Sequence, residues 1–271
     1  MAVRSNFHTH TCYCDGSDTP EELVQQALSL GFAALGFSGH SYVAFDTSCG
    51  MPPEREEAYY REILRLKEAY AGQIELYPGL EQDYYSDTVR HDYDYIIGSV
   101  HYVKAGEEYL CVDWSAERTR EIVHDCFAGD PYAYAEAYYK LVGQLGERTG
   151  CDIVGHFDLL RKFDEKDKLF DENEPRYRRA ALDAIERLCS KERVFEINTG
   201  AMSRGYRTAP YPSLWILKEL KRRGAPIMIS SDCHSRQALD YGFAAAVKLA
   251  AEAGYTQRAI FRNGQLCMTD L

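Results

Sequence analysis

Six of the eight histidines close short apolar runs: His8 and His10 in Phe7-His-Thr-His-Thr, His40 in Gly36-Phe-Ser-Gly-His, His101 in Gly98-Ser-Val-His, His156 in Ile153-Val-Gly-His-Phe-Asp, and His234 in Ser230-Ser-Asp-Cys-His. Three acids share that setting. Glu81 ends Pro78-Gly-Leu-Glu, Asp232 precedes His234 by two, and Asp15 lies in the loop after the first run. Imidazole and carboxylate together suit zinc, iron, manganese or cobalt. The pairs His8/His10 and Asp232/His234 are spaced by two, which on a strand puts both side chains on one face and lets each pair reach a single ion. A lone histidine at a strand end is more often a loop residue than a ligand; six with three acids share a purpose. Nine donors exceed the three or four that one zinc takes, so more than one metal is the economical inference. His91 and His124 fall outside the pattern and are assigned to the solvated surface.

These residues need elements that bring them together. Strand-like runs at 5–9, 32–39, 74–80, 94–100, 152–155, 194–198 and 226–230 alternate with helical ones at 20–30, 52–70, 131–145, 175–189, 212–223 and 237–253. A last strand is expected at 258–262. Thr19-Pro-Glu-Glu reads as an N-cap with proline at the first helical position and Glu22 completing a capping box. The helix at 52–70 carries Tyr59, Ile63, Leu64 and Leu66 on its apolar side, and 111–117 reads as a polar excursion. Such alternation implies a parallel sheet buried on both sides. About seven units in one domain spanning 1–271 favour a closed barrel, whose strand ends converge on one face, where active sites lie. The first strand is not followed by Gly-x-Gly-x-x-Gly, which argues against a dinucleotide-binding sheet.

Composition narrows the partners. With 31 Lys+Arg against 42 Asp+Glu, the formal net charge is −11, unlike a protein that binds a nucleic-acid polymer. An apolar fraction of 45% and a charged fraction of 27% are those of an ordinary globular chain. No apolar run approaches the length of a spanning helix, and residues 1–8 lack a signal-peptide core. A cytoplasmic protein with nine reduced cysteines is expected. The 21 tyrosines read as half-buried helix faces with wet hydroxyls.

The order His8-x-His10, Asp15, His40, Glu81, His101, His156, Asp232-x-His234 resembles the polymerase and histidinol phosphatase family of metal-dependent phosphoesterases. Every ligand position of that family's three-metal site has a suitable residue here. Gly79-Leu-Glu-Gln-Asp, Gly155-His-Phe-Asp-Leu-Leu-Arg and Glu196-Ile-Asn-Thr-Gly look closest to its histidinol-phosphate phosphatases. The resemblance implies a distorted (β/α)7 barrel holding three divalent transition-metal ions (Zn, Fe or Mn). His8, His10, Glu81 and Asp232 would bind one ion. Glu81 would bridge to a second, held by His101 and His156, and Asp15, His40 and His234 would hold the third. It also implies hydrolysis of a small phosphate ester, L-histidinol phosphate in histidine biosynthesis, with a diester or small nucleotide as the rival substrate and a non-catalytic metal-binding domain as a third reading.

Chemistry of that kind needs a water ionised between cations and directed in line at phosphorus. Glu81, Asp232 and His234 are the catalytic candidates, the last two as helpers of the leaving group. Arg161 and Arg204 are candidate phosphate ligands, since guanidinium matches phosphate geometry, with Asn198 supporting the same pocket. Asp158 is expected to orient a ligand imidazole. Asp18 is placed in the turn before the first helix, Cys12 and Cys14 are read as small buried thiols, and Asp46, Asp83 and Tyr84 are candidates to recognise the rest of the substrate. Three divalent ions would leave the whole chain acidic but make one face cationic, which suits a small phosphate ester better than a polymer.

Overall fold

Seven parallel strands form the centre of the molecule, seen in a computed structural model that describes residues 3–87 and 89–271. In chain order the strands are β1 (Ser5–Asn6), β2 (Ala34–His40), β3 (Glu75–Asp83), β4 (Tyr95–Ser99), β5 (Tyr102–Ala105), β6 (Glu108–Cys111), β7 (Ile153–Val154), β8 (Val194–Asn198), β9 (Ile227–Ser230), β10 (Gln257–Arg262) and β11 (Gln265–Asp270). The large sheet runs β1-β2-β3-β4-β7-β8-β9, with every neighbouring pair parallel. Its two edges meet. Thr9 bridges Cys233 in parallel, the His10 N–H donates to the Cys233 carbonyl at 2.9 Å, and the Asn6 amide donates to Ser231 Oγ at 2.7 Å. The result is the distorted (β/α)7 barrel that the alternation implied.

Local chemistry explains most helix positions. Helix Pro20–Ser29 begins on the expected capping box: the Glu22 N–H donates to Thr19 Oγ1, and Glu22 Oε2 accepts from the Thr19 N–H at 2.9 Å. Helix Pro53–Ala69 buries Tyr59, Ile63 and Leu66, whereas Leu64, expected on that face, is 37% exposed.

Three segments differ from expectation. The 111–117 excursion belongs to a larger insertion, the antiparallel hairpin β5–β6 followed by helix Ala116–Cys126, which is capped by the Ser115 hydroxyl. The helix expected from 237 starts only at Phe243, because Gly242 turns the chain at φ +75°. The last strand does not join the barrel. β10 pairs with β11, and this hairpin plugs the N-terminal end, setting the Phe261 ring 5.2 Å from both Phe7 and Tyr95.

The tyrosines are also drier than expected. Tyr59, Tyr95, Tyr138, Tyr139 and Tyr177 are fully buried. Their hydroxyls bond backbone carbonyls, as Tyr59 does to Gly79 at 2.9 Å, or each other, as Tyr139 and Tyr177 do at 2.7 Å. All nine cysteines are free thiols. Among the described residues no helix is long and apolar enough to cross a membrane.

Candidate metal centre

The C-terminal ends of β1, β2, β3, β4, β7 and β9 deliver His8 and His10, His40, Glu81, His101, His156, and Asp232 with His234. β1 itself stops at Asn6, so the two histidines alternate about the Thr9–Cys233 bridge rather than within a longer strand. Glu81 is the hub. Its Oε2 lies 2.9 Å from His40 Nδ1, 3.3 Å from His8 Nε2 and 3.5 Å from His10 Nε2. Its Oε1 lies 2.9 Å from His156 Nε2 and 3.5 Å from His101 Nε2. Asp232 Oδ1 stands 3.2 Å from His10 Nε2 and 3.7 Å from His8 Nε2, and Asp15 Oδ2 lies 3.1 Å from His234 Nε2. Asp232 adopts φ +47°, rare for a residue with a side chain. Its carboxylate fills space that Gly200 leaves open: a Cβ on that glycine would come within 2.7 Å of Asp232 Oδ2.

The donors fit metal ions on an observation independent of any resemblance. His8 Nε2, His10 Nε2 and Glu81 Oε2 are buried without a hydrogen-bond partner, an arrangement that is costly unless something pairs with them. Three sets could each hold an ion: His8, His10 and Asp232; His40, Glu81 and His101; and His10, Asp15, His40 and His234. Electrostatics prepares the set unevenly. Burial, with His234 and His40 alongside, pushes the His10 pKa down to about 3, leaving a neutral imidazole able to bind a cation. Burial also opposes charge on His8 and His101, but their carboxylate neighbours outweigh it. Glu196, Glu81 and Asp232 raise His8 well above its ordinary value, and Glu81 and Asp83 bring His101 to about 9. Glu81 and Asp232 are held well below the usual carboxylate range despite burial, by His8 and His40 around the first and by Arg204 and His8 around the second.

Two carboxylates orient the imidazoles from behind, and neither role was read from the sequence. Glu196 is 1% exposed, lies 2.6 Å from His8 Nδ1, and accepts from the His156 N–H at 2.8 Å. A carboxylate behind a ligand histidine fixes its tautomer and raises its basicity. The signal was present: an acid inside the otherwise apolar Val194-Phe-Glu-Ile, on the parity that faces the barrel interior. Asp83, considered for substrate recognition, is instead committed to His101, accepting from its N–H at 2.9 Å with Oδ2 3.2 Å from Nδ1.

Residues 6–200 match the PHP domain. The chain belongs to the PHP family. It is 30% identical to the histidinol-phosphatase of Bacillus subtilis over 265 residues, spanning 88% of this chain and 95% of that protein. It is 29% identical to a Deinococcus radiodurans protein named "Probable histidinol-phosphatase", spanning 94% and 95%. The crystal structure of histidinol phosphate phosphatase from Lactococcus lactis, complexed with zinc, L-histidinol and phosphate, superposes with a TM-score of 0.69 at 19% identity, over 98% of this chain and all of that one.

A cleft of about 260 Å³ opens over the PHP site and is walled by Arg204, Lys162, Asp113 and Trp114, among others. Arg204 Nη1 lies 2.8 Å from His234 Nδ1, and its Nη2 donates to Asp232 at 3.3 Å. Arg161 is elsewhere. It is occupied by Asp164, Glu172 and Ser213, and the cleft wall takes the next residue, Lys162, whose Nζ donates to Asp113 Oδ2 at 2.9 Å. The 3-10 turn Leu159–Arg161 decides which of two adjacent cations faces inward, and nothing in the sequence marks that choice. Asn198 does not reach the cleft either. It is fully buried, and its amide donates to Glu196 and Asp232 at 2.9 and 3.2 Å, so it positions those two carboxylates. Asp158 accepts from the Ser213 N–H and hydroxyl at 3.0 and 2.7 Å rather than from an imidazole.

Among the lesser candidates, Asp46 lines the cleft and accepts from the Tyr102 hydroxyl at 2.8 Å, whereas the Tyr84 hydroxyl turns to Gln144. Asp18 holds the Arg236 N–H at 2.8 Å, as a turn residue does. Cys12 and Cys14 are half-buried, and burial pushes the Cys14 thiol up to about 12, which keeps it a thiol. His124 is exposed, but His91 is half-buried, stacked 4.5 Å from the Tyr60 ring.

Proposed function

We propose that the protein is a metal-dependent phosphomonoesterase that hydrolyses L-histidinol phosphate to L-histidinol and phosphate. The observation that carries this reading is the convergence of nine imidazole and carboxylate side chains under a cleft walled by Arg204 and Lys162. The substrate is supported by the full-length similarity to histidinol-phosphatases and by the L-histidinol and phosphate bound in the Lactococcus lactis structure.

In this reading His8, His10, Glu81 and Asp232 hold one ion, Glu81, His101 and His156 a second, and Asp15, His40 and His234 a third. Bound divalent ions would bring the ionisation of coordinated water near neutrality and offset the charge of the phosphoryl oxygens. The chain's own residues do the rest. Glu196 and Asp83 hold His8 and His101 in ligand geometry. Arg204 and Lys162 draw the dianionic ester into the cleft and fix its oxygens. The leaving alkoxide needs a proton and the attacking water gives one up; Asp232, an ionised carboxylate, and His234, whose Nδ1 faces Arg204, would accept that proton and pass it on rather than supply one of their own. Positioning and charge stabilisation then account for most of the acceleration.

A phosphate-release screen tests this. Metal-replete protein should turn over L-histidinol phosphate faster than other monoesters, and chelation should abolish the activity. Preferential cleavage of bis-(p-nitrophenyl) phosphate would make it a diesterase instead, and turnover surviving full metal removal would reject the site.

A further inference from the structure

A second cavity, of about 360 Å³, lies at the opposite end of the barrel, where β1, β2 and β3 begin and the β10–β11 hairpin closes over them. Three arginines line it: Arg4 just before β1, and Arg258 and Arg262 on β10. Arg258, Ile260 and Arg262 alternate along the strand, so their side chains leave the same face, and all three reach the cavity. Arg258 is 7% exposed, and its Nε–H is buried with no hydrogen-bond partner. Burial depresses its pKa, with no neighbouring carboxylate acting against that effect. Among the described residues, none of the three guanidinium groups forms an ion pair.

The other deeply buried arginines show how unusual this is. Arg193, at 8% exposure, donates to the carbonyls of Cys151, Leu188 and Gly146. Arg207, also at 8%, donates to those of Ala209 and Arg161. A buried guanidinium without such partners is costly. The two acids on the cavity wall do not supply them. Glu75 accepts from the Tyr77 hydroxyl and from the Asn263 N–H, and Asp270 lies on the exposed rim of β11.

We propose that this cavity binds a small oxyanion, a phosphate- or carboxylate-bearing metabolite, held by Arg258 and Arg262 with Arg4 completing the cradle. Planar guanidinium donors match both groups, and the volume admits a small molecule but not a polymer. The ligand would join β1 to β10, the two ends of the chain, at the barrel end remote from the metal centre.

Calorimetric titration of the metal-loaded full chain tests the proposal, with inorganic phosphate as one probe and malonate as the other. On the proposed function the metal centre also takes phosphate, so the wild-type protein should show two classes of phosphate site. Arg258→Met should remove one class. Arg262→Gln, an exposed position where folding is not at stake, should weaken that class at least tenfold, and both variants should keep wild-type kcat. Malonate binding that is lost in the same variants would assign the site to carboxylates; phosphate binding alone would assign it to phosphates. The proposal is overturned if the wild type shows a single class of phosphate site and no malonate site, or if both variants bind both probes as the wild type does. A crystal soaked in selenate gives a direct check. The anomalous peak belongs between Arg4, Arg258 and Arg262, and a peak confined to the histidine cluster refutes the assignment.

Discussion

At the start of β3, Tyr77 packs edge-on against Phe7 and tilts against Phe261, with ring centres 5.8 and 5.6 Å away. Further along the same strand, Glu81 faces the imidazoles of His8, His10, His40, His101 and His156. Both side chains point into the barrel, since residues of one parity share a face. Between them Gly79 leaves room for the Tyr95 ring, which a Cβ would approach to 2.4 Å, and the Tyr95 hydroxyl donates to the carbonyls of Phe7 and Phe37. That ring is the boundary. On its N-terminal side the rings that fill the barrel are finished by folding alone, with aromatic contacts and satisfied hydroxyls, and the unpartnered Arg258 Nε belongs to the cavity at the hairpin rather than to that packing. On its C-terminal side folding leaves buried donors and acceptors unpaired. The molecule thus uses one half of its barrel to hold the other half in an arrangement that a bound cation would make favourable.

Breaking the polar end should have the largest effect, and chiefly on activity. Glu81→Gln preserves shape but removes the charge that five imidazoles share. Metal content should fall and kcat/KM should drop on the order of 10³-fold or more, and the urea midpoint of the metal-free protein should fall too at neutral pH, because the imidazoles around Glu81 lose the carboxylate that pairs with them. Metal analysis and kinetics on one sample would show it; full metal occupancy with wild-type turnover would remove Glu81 from the centre of the site. Breaking the apolar end should do the reverse. Phe261→Ala deletes a ring that touches Phe7, Tyr77 and Tyr95, at a cost of about 3–5 kcal/mol of stability. Urea unfolding should register that loss while kcat per folded molecule holds. A parallel fall in kcat would mean the two ends are coupled across the Tyr95 boundary.

The same contrast explains which features are legible in the amino-acid sequence. Strand periodicity fixes the parity of each residue and the place where each strand ends, so the nine His, Asp and Glu positions that gather at one face were visible as a pattern of spacings. What supports them was less visible, because it depends on turns and on contacts distant in sequence. Arg161 and Lys162 are adjacent cations, and only the direction of one 3-10 turn decides which lines the cleft. Asn198 looked like a pocket residue, yet β8 carries it inward to bridge Glu196 and Asp232. The β10–β11 hairpin was half seen: its first strand has β-like residues, but its antiparallel partner and its place under the barrel are set by tertiary packing against Phe7, Tyr77 and Tyr95.

Glu196 offers a way to sharpen the contrast at lower amplitude, since it belongs to the polar end without being a candidate ligand. Glu196→Gln keeps a side chain that can still accept from the His156 N–H but withdraws the charge facing His8 Nδ1. Loss of such a supporting carboxylate typically weakens metal affinity about 10- to 100-fold. Competition with a chromophoric chelator would measure it, and kcat at saturating metal should recover most of its wild-type value. A loss of kcat that excess metal does not restore would show Glu196 acting on the reaction rather than on His8.

The smallest expected effect concerns protons. In the metal-free protein His8 is raised well above its ordinary value and His101 is raised to about 9, each by its carboxylate neighbours acting against burial. His101, at about 9, is protonated at pH 7.5, and His8, shifted in the same direction, holds its proton to higher pH than a free imidazole, whereas a ligand nitrogen must be neutral. Metal binding at that pH therefore expels protons, and affinity should climb as pH rises towards the His101 value. His10, pushed down to about 3, is already neutral and contributes none. Zinc titrated into the apoprotein in two buffers of different ionisation enthalpy should give binding heats that differ by the released protons, at least one and at most a few. Glu81→Gln, which lowers the opposing charge at both imidazoles, should shrink that difference. Equal heats in the two buffers would show His8 and His101 to be neutral before metal arrives, and the polar end of the barrel would then be held apart by packing rather than by charge.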